Sequence, residues 1–172
     1  ILKNLELTFP ESTEIKMYQG NIFQKLNNIS NAVYMYEEAI KINPLLKNPY
    51  IELANIYLSQ RNFVEAKNFF IRASLIDIDD PYVCEGVILS LFYLEQFDQA
   101  LLYFNMFNIK IKRKSNILNN VGLCCQKLKN FEQSIDLFKK SIKENPLDFS
   151  TYFNLGNSLK EMKKFEECLF NF

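Results

Sequence analysis

AVYMYEEAIKINP, residues 32–44, sets Ala32, Tyr36 and Ala39 four and then three positions apart and closes on Pro44. That spacing puts the three side chains on one face of a helix, with a proline just beyond its end to block continuation. The pattern returns at a fixed step: Ala66, Phe70 and Ala73, then Ala100 and Phe104, then Ser134, Phe138, Ser141 and Pro146, then Cys168 and Phe172. A second series keeps step with it, Ile29 followed by Phe63, Phe97, Phe131 and Phe165. Gly20, Gly122 and Gly156 share a column, as do Pro10, Pro44 and Pro146. The columns agree without insertion or deletion, so the chain is an array of one repeated unit.

The register predicts full units over 13–46, 47–80, 81–114 and 115–148, and a partial one over 149–172. Residues 1–12 match the tail of an earlier unit, because Pro10 lies one period before Pro44. Residues 1–172 are therefore expected to form a single array, cut from a longer chain. Each unit reads as two helices. In 47–80, Tyr50, Leu53, Ala54 and Tyr57 share one helical face, and Phe63, Ala66, Phe70 and Ala73 share another. Arg61–Asn62 makes a short turn between them, and Asn62/Glu65 and Asn130/Gln133 resemble capping boxes. Pro49 and Pro81 stand near first-helix starts, where a missing N–H costs nothing. The expected fold is all-α, built of antiparallel helix pairs that each bury an apolar face against the next. The third unit departs from the pattern: Phe107 fills an Ala slot and Lys112 a Pro slot, which predicts a local change of geometry between Phe104 and Ile117.

Composition narrows the function. The formal net charge is zero, whereas proteins built to grip phosphate backbones carry a basic excess. Histidine is absent, which removes the commonest general base and metal ligand. The four cysteines show no CxxC spacing and fit a reducing compartment, so an intracellular, cytoplasmic location is expected. Cys124 and Cys125 are adjacent, yet neighbours in a helix point about 100° apart, and their columns hold apolar and small residues. Packing is the expected role, and no metal or cofactor site is expected. The longest apolar run, Val87–Leu94, is too short to span a bilayer, so no membrane insertion is expected.

In its period and its columns the unit resembles the tetratricopeptide repeat family. YFNLGNSLKEMKKFEEC (Tyr152–Cys168) carries Tyr152, Leu155, Gly156, Phe165 and Cys168 in the family's Trp, Leu, Gly, Tyr and Ala slots. AVYMYEEAIKINP matches its second helix, and the resemblance covers the whole chain. It implies a right-handed α-solenoid whose concave groove receives a peptide or partner helix. Within the family, NLGNSLKEM (Asn154–Met162) is similar to repeats of protein O-GlcNAc transferases, whose groove carries an asparagine ladder. Asn120 and Asn154 occupy the ladder position, while Tyr18, Glu52 and Gly86 interrupt it. In a chain this rich in Asn, composition alone accounts for such a pair. NNVGLCC (Asn119–Cys125) is similar to repeats of ciliary coat and transport subunits, over that short stretch only. The Lys/Arg clamp of the chaperone-binding members is replaced here by Met17, Ile51, Tyr82 and Gly86, which implies no grip on an acidic C-terminal tail.

Helical angle assigns the groove. The face of each first helix opposite its core holds unit positions 2, 6, 9 and 13, flanked by 5 and 12. In the third unit these are Tyr82, Gly86, Leu89 and Tyr93, flanked by Glu85 and Phe92. Tyr82, Leu89, Phe92 and Tyr93 form a candidate apolar binding patch, since aromatic side chains dominate interface hot spots. Asn120, Asn154 and Asn157 are candidate polar groove contacts. The expected function is a non-catalytic scaffold that binds a protein or peptide, within a longer chain and a multiprotein complex. Two other readings stand beside it. One is the substrate-recognition arm of a larger enzyme such as a protein O-GlcNAc transferase. The other is a single-strand RNA-binding helical repeat, which the neutral charge disfavours.

Overall fold

The structure is a computed structural model that describes residues 12–106 and 114–163. Among these residues the chain forms nine α-helices and no strand: α1 Thr13–Lys25, α2 Ile29–Ile42, α3 Lys47–Ser59, α4 Phe63–Ile76, α5 Pro81–Tyr93, α6 Phe97–Asn105, α7 Ser115–Lys127, α8 Phe131–Glu144 and α9 Phe149–Glu161. The odd-numbered helices start at Thr13, Lys47, Pro81, Ser115 and Phe149, and the even-numbered ones at Ile29, Phe63, Phe97 and Phe131, the same constant step that the sequence columns keep. This is an all-α helical-repeat solenoid. It divides into two compact units, Ile1–Asp77 holding α1–α4 and Ile78–Phe172 holding α5–α9. In the first, α1 packs on α2, α2 on α3 and α3 on α4. In the second, α5 packs on α6 and α7, α6 on α7, α7 on α8, and both α7 and α8 on α9.

Local chemistry sets the helix boundaries. Asn28, Asn62 and Asn130 cap the second helices α2, α4 and α8, each accepting from the amide three residues on. The reciprocal half of a capping box does not form. The backbone N–H of Asn62 donates to the Tyr57 carbonyl at 2.9 Å, and that of Asn130 to the Cys125 carbonyl at 2.9 Å. The preceding helix has already claimed those donors, because its last turn is closed by a residue in the left-handed region. Asn27, Arg61, Glu95, Lys129 and Lys163 all sit there, with φ between 57° and 61°. Glycine favours this conformation, yet no glycine is used, and only Asn27 belongs to a type that tolerates it well. The first helices α1, α5 and α9 take Ser12, Asp80 and Asp148 as caps, and Pro81 opens α5.

The small columns of the sequence have a steric meaning. A Cβ added to Gly20 would lie 2.5 Å from the Tyr36 ring, and one added to Gly122 would lie 2.5 Å from the Phe138 ring. Both rings are fully buried, so the first helix can approach the second only where it has no side chain. Ala54 holds the same slot in the second pair and is fully buried. The third pair places Ile88 there, also fully buried. Its partner helix α6 closes at Asn105 after nine residues, against fourteen in α2, α4 and α8. The third pair is thus atypical before Phe107 is reached. Phe107 and Lys112, on which a change of geometry was expected, lie outside the described residues, as do residues 1–11, Phe165, Cys168 and Phe172.

Four buried hydroxyls of the second unit, those of Ser134, Ser141, Thr151 and Ser158, form a set of contacts that crosses between helices. Ser134 Oγ lies 2.8 Å from Ser158 Oγ, joining α8 to α9. Ser141 Oγ donates to the Ser115 carbonyl at 2.9 Å and lies 3.5 Å from Thr151 Oγ1. Thr151 Oγ1 in turn donates to Asp148 Oδ2 at 2.6 Å. A polar seam thereby links the starts of α7 and α9 to the end of α8, with its buried oxygens satisfied as burial requires.

A candidate binding face on the second unit

The site is built on α5, α7 and α9, the first helices of their pairs. Positions seven and eleven residues apart fall within about 20° of each other on a helix, so α5 brings Tyr82, Leu89 and Tyr93 to one face. Tyr82 and Tyr93 are 54% and 52% exposed, while Leu89 is half-buried. Phe92 points elsewhere. Its ring stands edge-on to Phe97 of α6 at 5.6 Å and to Tyr93 at 5.8 Å. It thus buttresses Tyr93 and closes the foot of the pair. Gly86, expected on the groove face, is buried. The buried arc of α5, which packs on both α6 and α7, is thus wider than an isolated helix would suggest. Val83 and Ser90 on the same helix are buried as well.

The polar candidates are spread over the next two helices. Asn120 is half-buried on α7, and Asn157 is exposed on α9. Asn154 is already engaged: its amide nitrogen donates to Asn119 Oδ1 at 3.0 Å, bridging α9 to α7. Gln126 Nε2 lies 2.9 Å from Ser158 Oγ and 3.2 Å from the Asn154 carbonyl, making a second bridge. A third runs from Glu85 on α5 to Asn116 on α7. Adjacent first helices are therefore joined by side-chain hydrogen bonds along this face. Asn116, Asn119 and Gln126 were not singled out from the sequence. The available signal was that Asn116 stands at unit position 2, on the groove face, and Asn119 and Gln126 at positions 5 and 12, on its flanks.

Between α5 and α7 an open hollow of about 450 Å³ is lined by Asp80, Pro81, Tyr82, Glu85, Lys114, Ser115, Asn116 and Ile117. Burial pushes the Glu85 carboxyl above its ordinary value, and the hydrogen bond from Asn116 offsets this only in part. Asp80 Oδ1 accepts from the amides of Tyr82, at 2.9 Å, and Val83, at 3.4 Å, so that carboxylate caps α5. In the first unit a hollow of about 420 Å³ is lined by Asn21, Gln24, Lys25 and Glu52. The Tyr36 hydroxyl lies 2.7 Å from Asn21 Oδ1 and 2.9 Å from Gln24 Oε1, two of the lining side chains. Burial raises both the Tyr36 phenol and the Glu52 carboxyl.

The three described thiols are packed in the interior. Cys84, Cys124 and Cys125 are free and fully buried. Burial pushes Cys124 up to about 12 and Cys125 up to about 11, and raises Cys84 further. They stay as thiols at neutral pH and behave as small apolar side chains. Among the described residues no group of three or more His, Cys, Asp or Glu is placed to hold a metal ion. No helix among them is long and apolar enough to cross a membrane.

Comparison with known proteins agrees with this architecture. Two family models, each described as a tetratricopeptide repeat, match residues 18–44 and 115–146, and residues 137–170. TPR repeat-containing protein MJ1428 of Methanocaldococcus jannaschii is 24% identical over 161 residues, covering 88% of this chain. The human Cell division cycle protein 16 homolog is 26% identical over 159 residues, covering 87% of the chain. The chain spans only 28% and 26% of those two proteins. Among solved structures, MamA superposes with a TM-score of 0.85 at 15% identity, covering 94% of this chain and 88% of that one. YrrB, a TPR protein with an unusual peptide-binding site, superposes with a TM-score of 0.80 at 17% identity, covering 99% and 88%. Helix pairs recurring at one constant step, glycine-to-ring contacts within the pairs and these matches lead to one conclusion: the chain belongs to the tetratricopeptide repeat family.

Proposed function

We propose that this chain is a non-catalytic protein-interaction scaffold that receives a peptide or partner helix on the first-helix face of its second unit. The observation that carries this reading is the pair of half-exposed tyrosines, Tyr82 and Tyr93, aligned with Leu89 on one face of α5. Tyrosine offers a large contact area at low cost in conformational entropy, which suits it to anchoring a ligand. The surrounding hydrogen-bonded bridges hold the face in place before a ligand arrives, and preorganisation of this kind favours affinity. Asn120 and Asn157 offer amides beside the patch, and Asn154 keeps one amide hydrogen and its oxygen for a ligand. YrrB, which shares the fold, has a peptide-binding site by its own description. In this reading the chain works within a longer protein, in a complex inside the cell.

The test compares proteins captured by the wild-type chain with those captured by a Leu89→Glu, Tyr93→Ala variant whose helicity is checked by circular dichroism. Partners held by the α5 face are lost from the variant. Capture of an identical set by both chains sinks the assignment.

A further inference from the structure

Glu85 stands out in the second unit because, among the described residues, its carboxylate has a neutral hydrogen-bond partner and no ion pair. It is half-buried in the wall of the hollow between α5 and α7. That partner is the amide of Asn116. A carboxylate has about four acceptor positions, so one amide leaves most of them open. The hollow also contains Asp80 and Lys114, whose formal charges cancel, leaving Glu85 as its net negative charge. Asp80 is occupied at the head of α5, as described above.

The walls narrow the choice of ligand. Tyr82 lies three residues before Glu85, on the same side of α5, and lines the same hollow. A tyrosine face next to a carboxylate suits a planar, weakly hydrated cation, which can stack on the ring while donating two parallel hydrogen bonds to the oxygens. Ile117 adds an apolar surface against which an aliphatic stem can lie. A lysine would satisfy the charge but neither the fork geometry nor the stacking. The hollow in the first unit has a half-buried carboxylate too, Glu52, but Lys25 lines it and no aromatic ring does.

We propose that the hollow between α5 and α7 is the specificity pocket of the binding face, and that it takes the arginine side chain of a bound peptide, with Glu85 as its carboxylate partner and Tyr82 as its stacking wall. This rests on the groove reading above and adds to it the chemical identity of the residue that is read. A carboxylate left half-desolvated without an ion-pair partner lowers the stability of the free protein, and a docking guanidinium offsets that penalty.

The experiment uses the whole chain and four fluorescent pools of random octapeptides, acetylated and amidated at their ends, with one central position fixed as Arg, Lys, Gln or Glu. Fluorescence anisotropy reads the affinity of each pool for wild-type, Glu85→Gln and Leu89→Glu chains. The Arg pool binds roughly tenfold tighter than the Gln pool, with Lys between them and Glu weakest. Glu85→Gln is isosteric, so it collapses that preference while the far-UV spectrum and urea midpoint hold or improve. Leu89→Glu weakens every pool alike. If wild-type chains bind the Arg and Gln pools equally, and Leu89→Glu still abolishes both, the arginine pocket is overturned and the binding face survives. If no pool binds, both readings fall.

Discussion

Replacing Gly122 with alanine pits two effects against each other. Alanine is the better helix former, and a Gly→Ala change inside an exposed helix stabilises by about 0.5–1 kcal/mol. Here the new Cβ would lie 2.5 Å from Phe138 Cε1, 2.8 Å from Cδ1 and 3.0 Å from Cζ, where ordinary contact begins at 3.4 Å. Three ring atoms are affected, so the ring or the helix must retreat by roughly 1 Å. Phe138 is fully buried against Ile135, Leu155 and Leu159, which leaves the ring no free rotation that solves the problem. Overpacking of this size costs about 2–3 kcal/mol, the upper part of its usual range. Subtracting the propensity gain leaves a net loss of about 1–2.5 kcal/mol. At about 2–4 °C per kcal/mol for a chain of this size, the melting temperature falls by about 2–10 °C. Urea titration followed by circular dichroism measures the loss. A Gly122→Ala, Phe138→Leu double variant checks the cause: with the ring edge gone, alanine becomes neutral or favourable, and the pair couples by about 1–3 kcal/mol. If Gly122→Ala raises the urea midpoint while Phe138 is intact, the close approach of α7 and α8 is refuted.

Two further outcomes follow from the helix ends. Lys129 holds φ at 61°, so Lys129→Gly relieves left-handed strain and stabilises the second unit by up to about 1 kcal/mol; a lower urea midpoint in that variant would contradict the account of the turn. Asp148 caps α9 and accepts from Ser150 and Thr151 hydroxyls, each at 2.6 Å, which holds its carboxyl below the ordinary value of 3.8. A folded-state value below the unfolded one gives stability that is complete above about pH 4 and lost as pH falls through the lowered value. The gap in urea midpoint between wild-type and Asp148→Ala chains therefore narrows from about pH 6 to about pH 3. Glu52 and Glu85, raised by burial, act in the opposite sense and gain stability on protonation in the same range. Comparison within one pH series isolates Asp148, because both chains carry those two carboxyls. A gap that stays constant over that range removes the ionised cap from the account.

The fold was legible because steric slots recur. Gly20 with Tyr36 and Gly122 with Phe138 are the same contact made three periods apart, and an alphabet of small and aromatic residues records it directly. The role of Cys124 and Cys125 was legible for the same reason, since each sits in an apolar column. Side-chain bridges between neighbouring helices were not legible. Asn119 and Asn154 are 35 residues apart, one more than the period, so no column pairs them. The direction of Phe92 was hidden as well, because an angle on an isolated helix does not say whether a ring turns toward Phe97 or toward solvent. The exposure of Tyr82 and Tyr93 follows from their angle on the helix, whereas the burial of Gly86 on the same helix does not. Capping showed a similar division. Asn62 and Asn130 stand out as caps in the sequence, but the prior claim on their backbone N–H groups belongs to the preceding turn.

Among the described residues, the main contacts of each helix within its unit are with elements one or two places away in sequence. Ribosomal synthesis proceeds from the N-terminus, so each main contact partner of a newly made helix has either just emerged or is next to emerge. Loop closure is short at each step, and no half-built sheet edge waits for a distant strand. A helix pair such as α7–α8 presents the apolar side of Phe138 and Ile135 for a short interval before α9 arrives with Leu155 and Leu159 to cover it. The period that repeats in space thus also sets a rhythm in time, with one buried layer completed for every repeat translated.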